Sequence, residues 1–153
     1  PARTDRQPSI LVVDDDPHIR ELLNQEFTEA GFRVRMAGDG RAALNEVRRE
    51  RPDLVVLDVM MPEINGFDVA AVLKNDPQTM DIPIIILSIV EDRTRGFKLG
   101  IDRSGGTILV YEASKENTSS SLNMKDLISA LKQILILAAK LGVRRFPMQH
   151  FGA

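Results

Sequence analysis

Ile10-Leu11-Val12-Val13-Asp14-Asp15-Asp16-Pro17 is the stretch on which the fold turns. Four consecutive apolar residues leave no side of the chain for water, so the run predicts a short strand buried on both faces that stops at an acidic turn. Such a strand needs a covering layer on each side. After it, Ile19, Leu22, Leu23, Phe27 and Ala30 recur at helical spacing, with Pro17 suited to the first turn and Gly31 just past the end, which predicts a helix. Phe32, Val34 and Met36 then alternate with Arg33 and Arg35, the period of a strand with one wet face at a sheet edge. Asp39 can cap a second helix with Ala43, Leu44 and Val47 on its inner face, and Pro52 forces an extended entry into a third strand over 54–58.

The same alternation continues downstream. Residues 61–66 carry turn chemistry, and Val69, Val72 and Leu73 mark a third helix closed by Asp76-Pro77. Residues 82–87 predict a fourth buried strand ending at Ser88, residues 94–99 a short helix stopped by Gly100, and residues 107–111 a fifth strand. A long stripe from Met124 to Leu141 predicts a closing helix. Strands alternating with helices in this way predict an α/β domain: a doubly wound, five-stranded parallel sheet with helices on both faces, because a right-handed crossover must join each parallel pair.

Composition bounds the function. The chain has 153 residues, 20 Lys+Arg against 22 Asp+Glu and a net charge of −2, so it has no basic excess with which to coat a nucleic acid, and no nucleic-acid partner is expected. The absence of Cys excludes thiol catalysis, Cys-ligated zinc and disulfides. The most apolar window, 82–90, contains Pro83 and Ser88 and is far shorter than the roughly 20 residues of a membrane span. The expectation is a cytoplasmic protein with no membrane segment, organised as a linker over 1–8, one domain over 9–141 and a carboxyl-terminal tail over 142–153.

In a doubly wound sheet the site lies beyond the carboxyl ends of the strands, where Asp14, Asp15, Asp16, Asp58 and Ser88 all fall. Carboxylates brought together there repel unless a cation neutralises them, and oxygen-only ligands favour a hard ion such as Mg2+. A carboxylate beside Mg2+ can act as a nucleophile toward phosphorus, giving an aspartyl phosphate. Ser88 could donate its hydroxyl to a phosphoryl oxygen and so report whether the group is present. Asp16, immediately before Pro17, is read as a helix cap without chemistry. His18 is read as a surface residue near the site.

Residues 10–17, then Leu57-Asp58-Val59-Met60-Met61-Pro62 with Asn65-Gly66, then Ile86-Leu87-Ser88 and Leu99-Gly100-Ile101-Asp102, resemble the receiver domain of two-component response regulators. The match spans about residues 8–103. The resemblance implies a flavodoxin-like fold with strand order 2-1-3-4-5, Asp58 as phosphoacceptor, Asp15 as a direct Mg2+ ligand, Asp14 as a ligand through water, the Met60 carbonyl as a further ligand and Ser88 as the switch hydroxyl. It also implies a regulatory phosphoacceptor rather than an enzyme, and a histidine kinase or phosphotransfer protein as partner.

The carboxyl-terminal third departs from the pattern. Ser104-Gly105-Gly106 intervenes where the family goes straight to a strand bearing an aromatic residue, and no Lys-Pro pair follows. Lys115, followed by Glu116, is the nearest candidate for the phosphoryl-clamping lysine, with Tyr111 as a displaced aromatic. Ile136 and Leu137 lie opposite the inner stripe of the last predicted helix, either as tolerated exposed apolar residues or as a partner or dimer patch. The competing reading is a pseudo-receiver or recombined receiver, an interaction module without a productive phosphorylation switch. A flavin-binding flavodoxin-like protein is disfavoured by the lack of a hydroxyl-rich phosphate loop after the first strand. A phosphatase with an Asp nucleophile is disfavoured by the lack of an Asp two residues after Asp58.

Overall fold

The computed structural model describes residues 7–90, 96–101 and 107–114. Its elements are β1 (Ser9–Val13), α1 (Pro17–Glu29), β2 (Arg33–Ala37), α2 (Gly40–Arg49), β3 (Leu54–Asp58), α3 (Gly66–Asn75), β4 (Ile84–Val90), β5 (Gly96–Ile101) and β6 (Thr107–Ser114). Strands β2, β1, β3 and β4 lie side by side and parallel, giving the flavodoxin-like α/β arrangement with β2 at one edge as its half-wet pattern predicts.

Each buried strand alternates its residues between two cores. Leu11, Val13, Val55, Leu57, Ile84 and Ile86 join Ala43 and Val47 of α2 and Val69, Ala70 and Leu73 of α3 in one cluster. Ile10, Val12, Leu54, Val56 and Ile85, equally buried, point the other way, as the period of two requires. That side is covered by α1, whose buried Leu23 and Phe27 face inward and whose Phe27 ring meets Phe32 edge to face at 6.3 Å between centroids. The capping residues explain where the helices begin: Asp16 accepts from the His18 amide at 2.9 Å, Asp39 from Ala42 at 2.8 Å and Asn65 from Asp68 at 2.9 Å. Val72, read as inward from its spacing, is 44% exposed, because Val69, Ala70 and Leu73 already fill the covered face of α3.

Two expectations are corrected beyond β4. Among the described residues the sheet has six strands, not five, in the order β2-β1-β3-β4-β6-β5. Residues 107–114 take the place beside β4 and run parallel to it, while residues 96–101, of which 96–99 fall in the helix expected over 94–99, form an edge strand antiparallel to β6. Phe97, Leu99 and Ile101 alternate with Lys98 and Gly100, which suits a strand, two glycines within six residues weaken a helix, and pairing with β6 fixes the outcome. Ser88 does not end β4, which continues to Val90. The predicted helix over 124–141, Lys115, Ile136 and Leu137 lie outside the described residues.

Candidate functional site

β1 and β3 are neighbours in register, Val13 opposite Leu57, so the residues that follow their last apolar positions, Asp14 and Asp58, meet at one end of the sheet. One carboxylate oxygen from each of Asp14, Asp15 and Asp58 lies within 4.8 Å of the others. Asp14 is buried, Asp58 half-buried and Asp15 exposed. Burial pushes Asp14 up to about 7, against the opposing pull of the Asp16 amide that donates to its Oδ1 at 2.9 Å; the charges of Asp58, Asp15 and Asp16 add to the rise. Burial likewise pushes Asp58 up to about 6, opposed by the Met60 amide at 3.3 Å and reinforced by the Asp15 charge. Near neutral pH the cluster therefore holds protons that isolated aspartates would have lost.

The donor set fits a hard divalent cation. All three side chains offer oxygen, no His or Cys is among them, and the crowding that lifts two carboxyl groups out of their ordinary range is what a bound cation would relieve.

The loop after Asp58 is held by backbone contacts. The Val59 amide donates to the Leu87 carbonyl at 3.1 Å, and the amides of Met61 and Gly66 both donate to the Val59 carbonyl at 3.1 Å. Between them Glu63 adopts a left-handed φ of 67° and Ile64 closes a tight turn on Pro62. The start of α3 approaches so closely that a Cβ on Gly66 would lie 2.3 Å from the Asp58 carbonyl oxygen. This is the physical meaning of the glycine eight residues after the acid. Ile64 in turn abuts Gly40 at the start of α2, where a Cβ would come within 2.9 Å of its own.

Of the residues singled out from sequence, Asp14, Asp15 and Asp58 are brought together, and Asp16 is the cap of α1. Ser88 follows Leu87, the register partner of Asp58, which places its backbone beside the end of β3. Tyr111 pairs in register with Leu87 on the far side of β4. Sequence reasoning missed Asn65 as a cap: Asn65 and Asp68 form a reciprocal capping box, signalled by their three-residue spacing but with Asp in place of the usual Glu. It also missed Arg20, whose Nη1 donates to the Asp14 carbonyl at 2.7 Å.

Comparison with known proteins agrees with this geometry. The family described as response regulator receiver domain matches residues 10–104. The probable transcriptional regulatory protein TcrX of Mycobacterium tuberculosis is 40% identical over 104 residues, 65% of this chain and 44% of that protein. The DNA-binding response regulator MtrA of Mycolicibacterium smegmatis is 47% identical over 83 residues, 54% of this chain and 35% of that protein. The chain thus spans less than half the length of these curated relatives. Among solved structures, the response regulator protein TrrA of Thermotoga maritima in complex with Mg2+-BeF superposes with a TM-score of 0.59 at 32% identity, covering 84% of this chain and 99% of that one. The receiver domain of a signal transduction histidine kinase from Syntrophus aciditrophicus gives 0.63 at 28%, covering 92% and 95%. No helix among the described residues is long and apolar enough to cross a membrane. With its sheet, its acidic cluster and the matched span in agreement, the chain belongs to the response regulator receiver domains, the phosphoacceptor domains of two-component signalling.

Proposed function

We propose that Asp58 is the phosphoacceptor and that Asp14, Asp15, Asp58 and the Met60 carbonyl hold the Mg2+ on which its phosphorylation depends. The observation that carries this reading is the convergence of three carboxylates within 4.8 Å, two of them raised well above the ordinary range, at the carboxyl end of a parallel sheet. Bound Mg2+ supplies neutralisation of phosphoryl charge. The chain's own residues do the rest. Asp58 must be ionised to attack, and its Met60 amide partner favours the ionised form. A carboxylate oxygen forms the bond to phosphorus while the bond from phosphorus to the donor, a phosphohistidine nitrogen of a histidine kinase or phosphotransfer protein, breaks with its electron pair leaving on that nitrogen. Asp14 and Asp15 hold position beside the product without forming bonds to phosphorus. Ser88 is the proposed sensor of the phosphoryl group and Lys115 the proposed clamp. The receiver's part is regulatory rather than catalytic. Relatives with DNA-binding names are matched over less than half of their own length, so no nucleic-acid contact is carried over to this chain.

The test is intact mass after incubation with acetyl phosphate. One phosphoryl group is expected with Mg2+, none after chelation and none in Asp58→Asn. Labelling that persists in Asp58→Asn overturns the assignment, and no labelling of the wild type favours the interaction-module reading.

A further inference from the structure

We infer that Arg20 is a positioning residue for the acidic cluster, clamping the turn that carries Asp14 and Asp15 to the loop that opens α2. The inference rests on the reading of that cluster as the phosphorylation site. Arg20 stands one turn into α1, its amide bonded to the Asp16 carbonyl at 3.1 Å. Helix side chains lean toward the amino terminus, so an arginine here reaches back over the turn that precedes the helix. Its Nη1 donates to the Asp14 main-chain carbonyl at 2.7 Å, a bond to the backbone of the turn and not to its carboxylates. The cation therefore fixes the Asp14 backbone while the carboxyl groups remain directed at one another.

The same end of the guanidinium lies beside Gly38. A Cβ there would sit 3.2 Å from Nη1 and 3.7 Å from Cζ, close enough to crowd the guanidinium. Gly38 follows Ala37, whose carbonyl accepts from the Asp14 amide at 3.2 Å. Asp14 is thus held at both its amide and its carbonyl, from β2 and from α1. Its carboxylate is held in turn by the Asp16 amide. With these held, the position of the Asp14 carboxylate relative to Asp58 is set by the frame rather than by the mutual repulsion of the acids, which alone would drive them apart.

The test uses the full 153-residue chain and three variants, Arg20→Met, Arg20→Lys and Gly38→Ala, together with the double variant Arg20→Met/Gly38→Ala. Two quantities are read: Mg2+ affinity by titration calorimetry, and amide exchange at Asp14 and Asp16 without metal. Loss of one charge-assisted hydrogen bond is expected to weaken Mg2+ binding about tenfold in Arg20→Met and to speed exchange at those two amides by a similar factor, with β3 and α3 unchanged. Arg20→Lys keeps a donor and should recover to within about threefold of wild type. Gly38→Ala should shift both readings in the same direction, and the double variant should be no worse than Arg20→Met, because both changes break one contact.

Strictly additive effects, exchange that rises evenly through the domain, or unchanged Mg2+ affinity despite a loosened turn would each overturn the inference. Should Arg20→Met fail to fold, Arg20→Gln, which removes the charge and keeps a polar stem, is read in its place on the same two quantities. If wild type itself binds no Mg2+, the phosphorylation reading falls, and the metal-free exchange still decides whether Arg20 clamps the turn.

Discussion

At Asp14 the surroundings pull in two directions. Burial disfavours the charge, the Asp16 amide favours it, and burial wins, leaving the group near 7. The consequence for stability has a definite sign. Between the ordinary aspartate range near 4 and a folded-state value of about 6 to 7, the folded chain holds protons that the unfolded chain has released, so the contribution of Asp14 and Asp58 is fully present below about pH 4 and is lost as pH rises through 6 to 7. Glu46 and Asp81 are shifted downward, so their contribution is lost only as pH falls through the acid range and is flat from 5.5 to 8. Metal-free protein should therefore melt lower at pH 8 than at pH 5.5, and Asp14→Asn should raise the pH 8 melting temperature by about 3 °C or more while reducing the pH difference. Millimolar Mg2+ should restore wild type at pH 8 and do little for the variant. Scanning fluorimetry with an external dye reads all four conditions, and an equal Mg2+ response in both proteins would remove Asp14 from the ligand set. The three acids themselves were legible in the sequence because each follows an apolar strand. Arg20 was not, because a long side chain that bonds a backbone carbonyl leaves no pattern in residue type.

Among the elements, α3 carries the most consequence for the loops around it. Its Lys74 is 1% exposed, and the ammonium donates to the carbonyls of Met80 at 2.9 Å and Ile82 at 2.7 Å, tying the end of the helix to the entry of β4. Replacing it by Met keeps the stem but leaves two carbonyls short of a donor, a cost of about 2–4 kcal/mol. Urea unfolding should show the midpoint falling with an unchanged slope, and a loss below about 0.5 kcal/mol would mean that water replaces the lysine. Elements up to β4 were legible because caps and apolar periods agree there, as at Asp39 with Ala43 and Val47. The stretch 96–101 was not: over six residues a helical and an alternating pattern share most of their apolar positions, and pairing with β6 decides between them.

Over the whole molecule, protection from solvent should follow strand order. β1 and β3 are flanked by strands on both sides and buried on both faces, while β2 has one open edge and exposed side chains at Arg33 and Met36. Amide exchange followed by mass spectrometry should therefore be slowest in peptides spanning 9–13 and 54–58 and faster in 33–37; the reverse order would contradict the sheet arrangement. The same frame dictates where the crevice can be rewritten. A methyl group at residue 66 would collide with the Asp58 backbone and one at residue 40 with Ile64, whereas Met60 and Phe67, at 76% and 50% exposure, stand in solvent on the same rim. A library that diversifies this domain toward a new signalling partner should hold 40 and 66 fixed and randomise 60 and 67, so that heritable variation collects on the side chains a partner would touch and not on the joints beneath them.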